Sequence, residues 1–202
     1  MTVKNEDKLK ASLMSFPRKP AKPRAYLNEA GLYEYAIRSL ARSMRTEADL
    51  RRLMETRVEP GEPGAALITT VVARLKQQKY LDDQSFAETY ARLRQQNEKL
   101  GVRRVRQNLQ QKGVGAKLIA DTLESRYANV DEEALARQHL ERKRIRKPEN
   151  EKETARVLRR LVAAGFSTSV IYKILRQWNI PDESLAALEN MSENLSDEPH
   201  EE

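Results

Sequence analysis

The 202-residue sequence predicts an all-α protein, an elongated and curved solenoid of three tandem three-helix repeats. Composition is the first reason. Charged residues reach 33%, Gly and Pro number only 7 and 8, and Leu, Ala, Arg and Glu abound, a mixture that favours helices over strands. Periodicity is the second, because apolar residues recur at helical spacing between the two ends of the chain. The third is self-similarity: DLRRLMETRV (49–58), VRQNLQQKGV (105–114) and VLRRLVAAGF (157–166) align, matching Leu53 with Leu109 and Leu161, and Val58 with Val114 and Phe166. A three-helix unit of about 50 residues cannot bury its apolar stripes alone, so stacked copies are expected to share them across nearest-neighbour interfaces.

Residues 1–28 read as a disordered basic leader, with Pro17, Pro20 and Pro23 set among cations. Repeat 1 (29–80) opens with YEYAIRSLARSM (33–44) and continues through the segment at 49–58. It reaches TVVARLKQ (70–77) only after eight extra residues, which contain Pro60, Gly61, Pro63 and Gly64 and predict a lengthened loop. Arg57 stands where the later copies have glycine, so this second helix is expected to end differently. Repeat 2 (81–127) starts with YLDDQSF, where a carboxylate caps free amides, and runs through QSFAETYARLRQQ (84–96). Its basic second helix ends at Gly113, a left-handed position just past the helix, and LIADTLES (118–125) follows. Repeat 3 (128–181) comprises EEALARQHLERKR (132–144), a candidate bend at RKPENEK (146–152) around Pro148, VLRRLVAAGF with Gly165, and VIYKILRQ (170–177) capped by Ser167. Residues 182–202 read as an acidic flexible tail with a short helical turn at Leu185–Leu188.

The chain has no cysteine, which removes disulfides, thiolate catalysis and sulfur-based zinc sites and fits a reducing compartment. It also lacks a long apolar run, so neither a signal peptide nor a membrane span is expected and the reading is of a cytoplasmic protein. Only two histidines occur, His139 and His200, and His139 is expected at a helix surface or the edge of the core. Asp82, Asp83 and Glu88 could be drawn as an acid/base or metal cluster, but a helix start explains them more simply. Gly101, Gly113 and Gly115 do not make a phosphate loop. No enzyme, cofactor or metal is expected.

Charge carries the functional reading. The net charge of +7 hides a tail with eight carboxylates and no Lys or Arg, and a stretch 1–24 with seven basic and two acidic side chains; the remainder has 30 bases against 20 acids, or +10. Residues 99–120 hold six bases and no acid, whereas a helix stabilised by its own surface charges mixes signs four residues apart. On a helical wheel Val102, Val105 and Leu109 converge, with Arg104, Gln107, Asn108 and Gln111 opposite and Arg103 on the flank. The repeat alignment places Arg104 with Arg156, and Gln107 and Asn108 with Arg159 and Arg160 in one copy and Arg51 and Arg52 in the other. An outward ridge is therefore basic or amide-bearing in all three units. Arg106 and Lys112 belong to the same segment, and LERKRIRK adds Arg142, Lys143 and Arg144. No base-reading motif or aromatic stacking platform accompanies these residues, so they suit nonspecific phosphate contact with single- or double-stranded DNA, or an acidic protein surface.

The segments YLDDQSFAETYARLR (80–94), LGVRRVRQNLQQKGV (100–114) and AGFSTSVIYKIL (164–175) resemble the bacterial RecX family over residues 30 to 178. The resemblance implies a monomeric, non-catalytic modulator of the RecA recombinase in DNA repair and the SOS response. It would bind RecA–DNA filaments along the helical groove and inhibit ATP hydrolysis, strand exchange and coprotease activity. The residues alone leave open an alternative, a sequence-independent DNA-binding or nucleoid-associated protein.

Overall fold

A computed structural model describes residues 25–180, and within them the regular structure is helical throughout: α1 (Glu29–Arg42), α2 (Glu47–Glu55), α3 (Glu62–Gln77), α4 (Asp83–Glu98), α5 (Val102–Gln111), α6 (Ala116–Tyr127), α7 (Glu132–Arg142), α8 (Glu151–Ala163) and α9 (Thr168–Gln177). The readings of residues 1–24 and of the acidic tail, including the turn at Leu185–Leu188, lie outside the described residues. Local chemistry sets many of the helix limits. Asn28, Asp82, Asp131 and Asn150 each accept amide hydrogen bonds in the first turn of α1, α4, α7 and α8. At the other end, Gly113 and Gly165 take φ of +74° and +88°. They allow Val114 and Phe166 to donate back to the carbonyls of Leu109 and Leu161, closing the helices with a left-handed residue as expected.

The helices form three triads, α1–α3, α4–α6 and α7–α9, and in each the third helix packs against the first. Two details differ from the sequence reading. The lengthened loop of the first triad is mostly helix, since α3 starts at Glu62 rather than near residue 70. Proline is tolerated in a first turn, where its missing N–H has no intrahelical partner, and Pro63 sits there. Gly64 lets that turn press onto the Glu59 carbonyl, which a Cβ would overlap.

The second difference is register. Thr46 caps α2 as Gly101 caps α5, and Met54, fully buried, occupies the place that the sequence alignment gave to Leu53, which is half-buried. The turn after α2 is consequently one residue shorter and lacks the left-handed glycine. Arg57 instead donates its N–H to Met54, accepts from Leu27 through its carbonyl, and lays its guanidinium 4.8 Å from the Tyr35 ring centroid.

The apolar core is not shared equally. One cluster runs through the second and third triads, from Phe86 and Leu109 to Leu161, Phe166 and Leu175. The first triad keeps its own, built on Leu32, Leu50, Met54, Ile68, Val72 and Leu75. Stacked sharing of apolar stripes thus joins the last two units, while the first is attached by other means.

Candidate partner-binding face

The second helices of the three triads meet end to end. The N–H of Gly101, the cap of α5, donates to the carbonyl of Ala164 at the end of α8 over 2.9 Å. Thr46, the cap of α2, donates its hydroxyl to the carbonyl of Lys112 at the end of α5 over 2.6 Å. Each joint therefore satisfies a C-terminal carbonyl of one helix from the N-terminus of the next, and places the negative end of one helix dipole against the positive end of its neighbour. Gly165 and Gly113 make this approach possible. A Cβ on Gly165 would overlap the backbone nitrogen of Arg104, and one on Gly113 would overlap the Cβ of Ala48. The row of ridges expected from stacking is thus a row of abutting helices, α8, α5 and α2.

The two joints differ in what surrounds them. Around the α8–α5 joint the packing is apolar: Leu100, Val102, Leu140 and Phe166 belong to the shared cluster. His139, expected at the surface or the core edge, is buried there, with its ring edge-on to Phe166 and Nδ1 3.1 Å from the carbonyl of Glu98. Burial, reinforced by Lys143, holds its pKa below the usual histidine value, so the ring is neutral near pH 7. The α5–α2 joint is polar. Asp49 takes ion pairs from Lys112 at 2.9 Å and Arg52 at 2.5 Å, and Arg52 also reaches the Gln111 carbonyl at 3.4 Å. Beside it the N–H of Glu47 donates to Asp83, whose pKa burial pushes up.

This difference sorts the twelve expected binding residues. Arg51 pairs with Glu47 and reaches the Thr69 hydroxyl, Arg52 and Lys112 share Asp49, and all three are engaged at or near the α5–α2 joint. Arg104 is half-buried against Gly165 and donates to Gln107. The remaining eight, Arg103, Arg106, Arg142, Lys143, Arg144, Arg156, Arg159 and Arg160, are exposed and hold no carboxylate partner among the described residues. The structure also turns α5 relative to the wheel. Arg104 and Asn108 are half-buried, and Arg103, Arg106, Gln107 and Gln110 are the exposed side, because the joint to the third triad covers a second face that a wheel does not see.

The free cations therefore concentrate on α5, α8 and the α7–α8 connection, and fade at α2. Three arginines on the outward side of α8 sit within two turns, and beyond the Gly101–Ala164 joint Arg103 and Arg106 are exposed on α5. Such an array attracts phosphate or carboxylate groups spaced along an extended partner, and guanidinium groups hold either through paired N–H donors. Asp82 and Asp83 do not form a catalytic pair. Asp82 accepts from the amides of Gln84 and Ser85 and from the Ser85 hydroxyl, while Asp83 serves the joint. Among the described residues no group of three or more His, Cys, Asp and Glu is arranged to hold a metal ion, and no helix is long and apolar enough to cross a membrane. Sequence reasoning missed Asp49 and Thr46. Their signal emerges only in the structural register, where Asp49 stands opposite Arg104 and Arg156 and Thr46 opposite Gly101 and Glu153.

The comparisons agree with this architecture. Residues 82–123, the second triad, match the family model described as the second three-helix domain of RecX. The regulatory protein RecX of Deinococcus radiodurans is 34% identical over 167 residues, covering 80% of this chain and 74% of that protein. That of Cronobacter sakazakii is 33% identical over 156 residues, covering 73% and 92%. The chain spans a smaller share, 58%, of the RecX of Limosilactobacillus reuteri, to which it is 28% identical. Among solved structures, a crystal structure of regulatory protein RecX superposes with a TM-score of 0.60 at 25% identity, over 74% of this chain and 71% of that one. RecX from Lactobacillus salivarius shares the fold, with a TM-score of 0.55 over 75% and 96% of the two chains. Three helical triads, the match centred on the second of them, and the extent of these likenesses lead to one conclusion: the chain belongs to the RecX family of regulatory proteins.

Proposed function

We propose that this protein is a non-catalytic, cytoplasmic regulator that lies along RecA–DNA filaments as a monomer and inhibits recombinase ATP hydrolysis, strand exchange and coprotease activity. The partner follows from the family; the manner of attachment is read from the cations. The observation that carries it is the set of exposed arginines that hold no carboxylate partner among the described residues, on two abutting helices: Arg103 and Arg106 on α5 and Arg156, Arg159 and Arg160 on α8. Unpaired, exposed guanidinium groups keep their attraction for an external anion, whereas Arg51 and Arg52 are already neutralised. A filament offers both DNA phosphates and acidic side chains in a repeating array, so several weak contacts from one rigid pair of units add through effective concentration. Occupation of the groove then obstructs entry of a second duplex and rearrangement of the recombinase subunits.

The experiment is charge reversal. Arg159→Glu with Arg160→Glu should abolish most of the inhibition of DNA-dependent ATP hydrolysis while the helical circular dichroism is unchanged, and Arg51→Glu should have little effect. Equal inhibition by the α8 variant and the unaltered protein would remove this face from the account. Binding to DNA alone is the second reading, favoured by the same unpaired arginines. It predicts a steep loss of affinity with salt that a shaped protein interface would partly resist.

A further inference from the structure

The exposed arginines and the acidic segment belong to one chain, and the described residues end beside the helix that carries three of those arginines. The described chain ends at Ile180, which packs on the core of the last two triads and donates back to Leu175. Ile180 and Asn179 line a cleft of about 640 Å³ together with Lys147, Pro148, Asn150 and Thr154, at the N-terminus of α8. Arg156 follows two positions after Thr154, and Arg159 and Arg160 come one turn later. The residues that continue from this point hold eight carboxylates and no Lys or Arg.

We infer that the segment 182–202 docks on the arginine face of α8 and α5 and covers it until an anionic partner displaces it. The inference rests on the proposed use of that face. Three observations support it. Charge is complementary: the eight carboxylates of the segment face five exposed arginines of α8 and α5 that hold no carboxylate partner among the described residues. Reach is sufficient, since about 20 residues span at most roughly 70 Å when extended, while α8 and α5 together measure about 35 Å at ~1.5 Å per helical residue. Position directs the segment to α8. The cleft itself also carries Glu149 and Glu151, so the arginines beyond it, and not the cleft, are the surface assigned to the segment. The nearby Glu153 carboxylate is occupied by the Glu149 N–H at 3.0 Å. An intramolecular occupant of this kind sets a threshold: a lone carboxylate or short anion does not displace it, whereas a long array of phosphates or acidic side chains does.

The test uses the full chain. Because it has no cysteine, Ser196→Cys carries a single nitroxide label at a chosen place in the segment. At about 50 mM salt, where charges interact over ~14 Å, the amide signals of Arg156, Arg159 and Arg160 should broaden, and at about 500 mM they should recover. In parallel, replacing the eight carboxylates of 182–202 by amides should tighten binding to a single-stranded oligonucleotide about tenfold at low salt, with the two proteins converging at high salt. Absence of broadening at low salt overturns the inference, and so does broadening with unchanged oligonucleotide affinity. If the neutralised chain gains oligonucleotide affinity, with broadening observed, yet leaves recombinase ATP hydrolysis untouched, the docking stands and the filament reading fails.

Discussion

Replacing Gly165 by alanine tests the end-to-end joint that builds the basic face. At φ of +88° an alanine pays the left-handed penalty of an L-residue, about 1 to 2 kcal/mol. Its Cβ would also overlap the Arg104 backbone nitrogen and lie 2.6 Å from the Arg104 Cβ. Both atoms belong to the first turn of α5, which cannot yield without straining the Gly101–Ala164 hydrogen bond. Overpacking of this kind costs about 1 to 3 kcal/mol. The sum, about 2 to 5 kcal/mol, is a large part of the stability of a domain this size. Urea unfolding followed by circular dichroism should show a clear drop in midpoint. Gly115→Ala is the control. Gly115 has no positive φ and nothing within 4 Å of its would-be Cβ, so its midpoint should fall far less than that of Gly165→Ala, by no more than the small preference for glycine over alanine at the cap of α6. A Gly165→Ala protein with the parent midpoint would show that the α8–α5 approach is looser than described, and the reasoning about the joint would fail.

Other expectations follow from the same contacts. Lys112→Ala should cost under about 1 kcal/mol, because its pair with Asp49 is partly exposed; hydrogen exchange should nonetheless quicken in α2 before α8 if the polar joint opens first. Asp82→Ala removes the carboxylate that accepts from two amides at the start of α4 and should cost about 1 kcal/mol, read as a lower thermal midpoint. His139 titrates with a folded pKa below the unfolded value, so the unfolded chain binds more protons in the window just under pH 6.5. Stability should therefore fall on acidification through that window, and His139→Gln should flatten the dependence between pH 7 and 5.

Much of this was readable in advance, and the exceptions have physical causes. Gly113 and Gly165 announced left-handed helix ends, but only the packed units reveal that each also makes room for the neighbouring helix. Arg57 looked like a substituted glycine; it marks a turn one residue shorter, in the unit that has no earlier described unit resting on its second helix. Pro63 and Gly64 read as loop because proline and glycine are breakers in a helix interior, a rule that does not apply in the first turn, whereas Pro60 and Gly61 do lie in the connection. The wheel for α5 assumed one buried side, whereas a stacked unit buries two. Ion pairs were the least legible part, since Asp49 lies 63 positions from the Lys112 it neutralises.

The central claim is that the α5–α8 face engages a recombinase filament rather than DNA alone. The direct test is DNA-dependent ATP hydrolysis by the recombinase, titrated with this protein at moderate salt beside a binding isotherm on bare single-stranded DNA. The account predicts inhibition at protein concentrations well below those that coat the bare strand. Inhibition that appears only as the DNA becomes covered would contradict it.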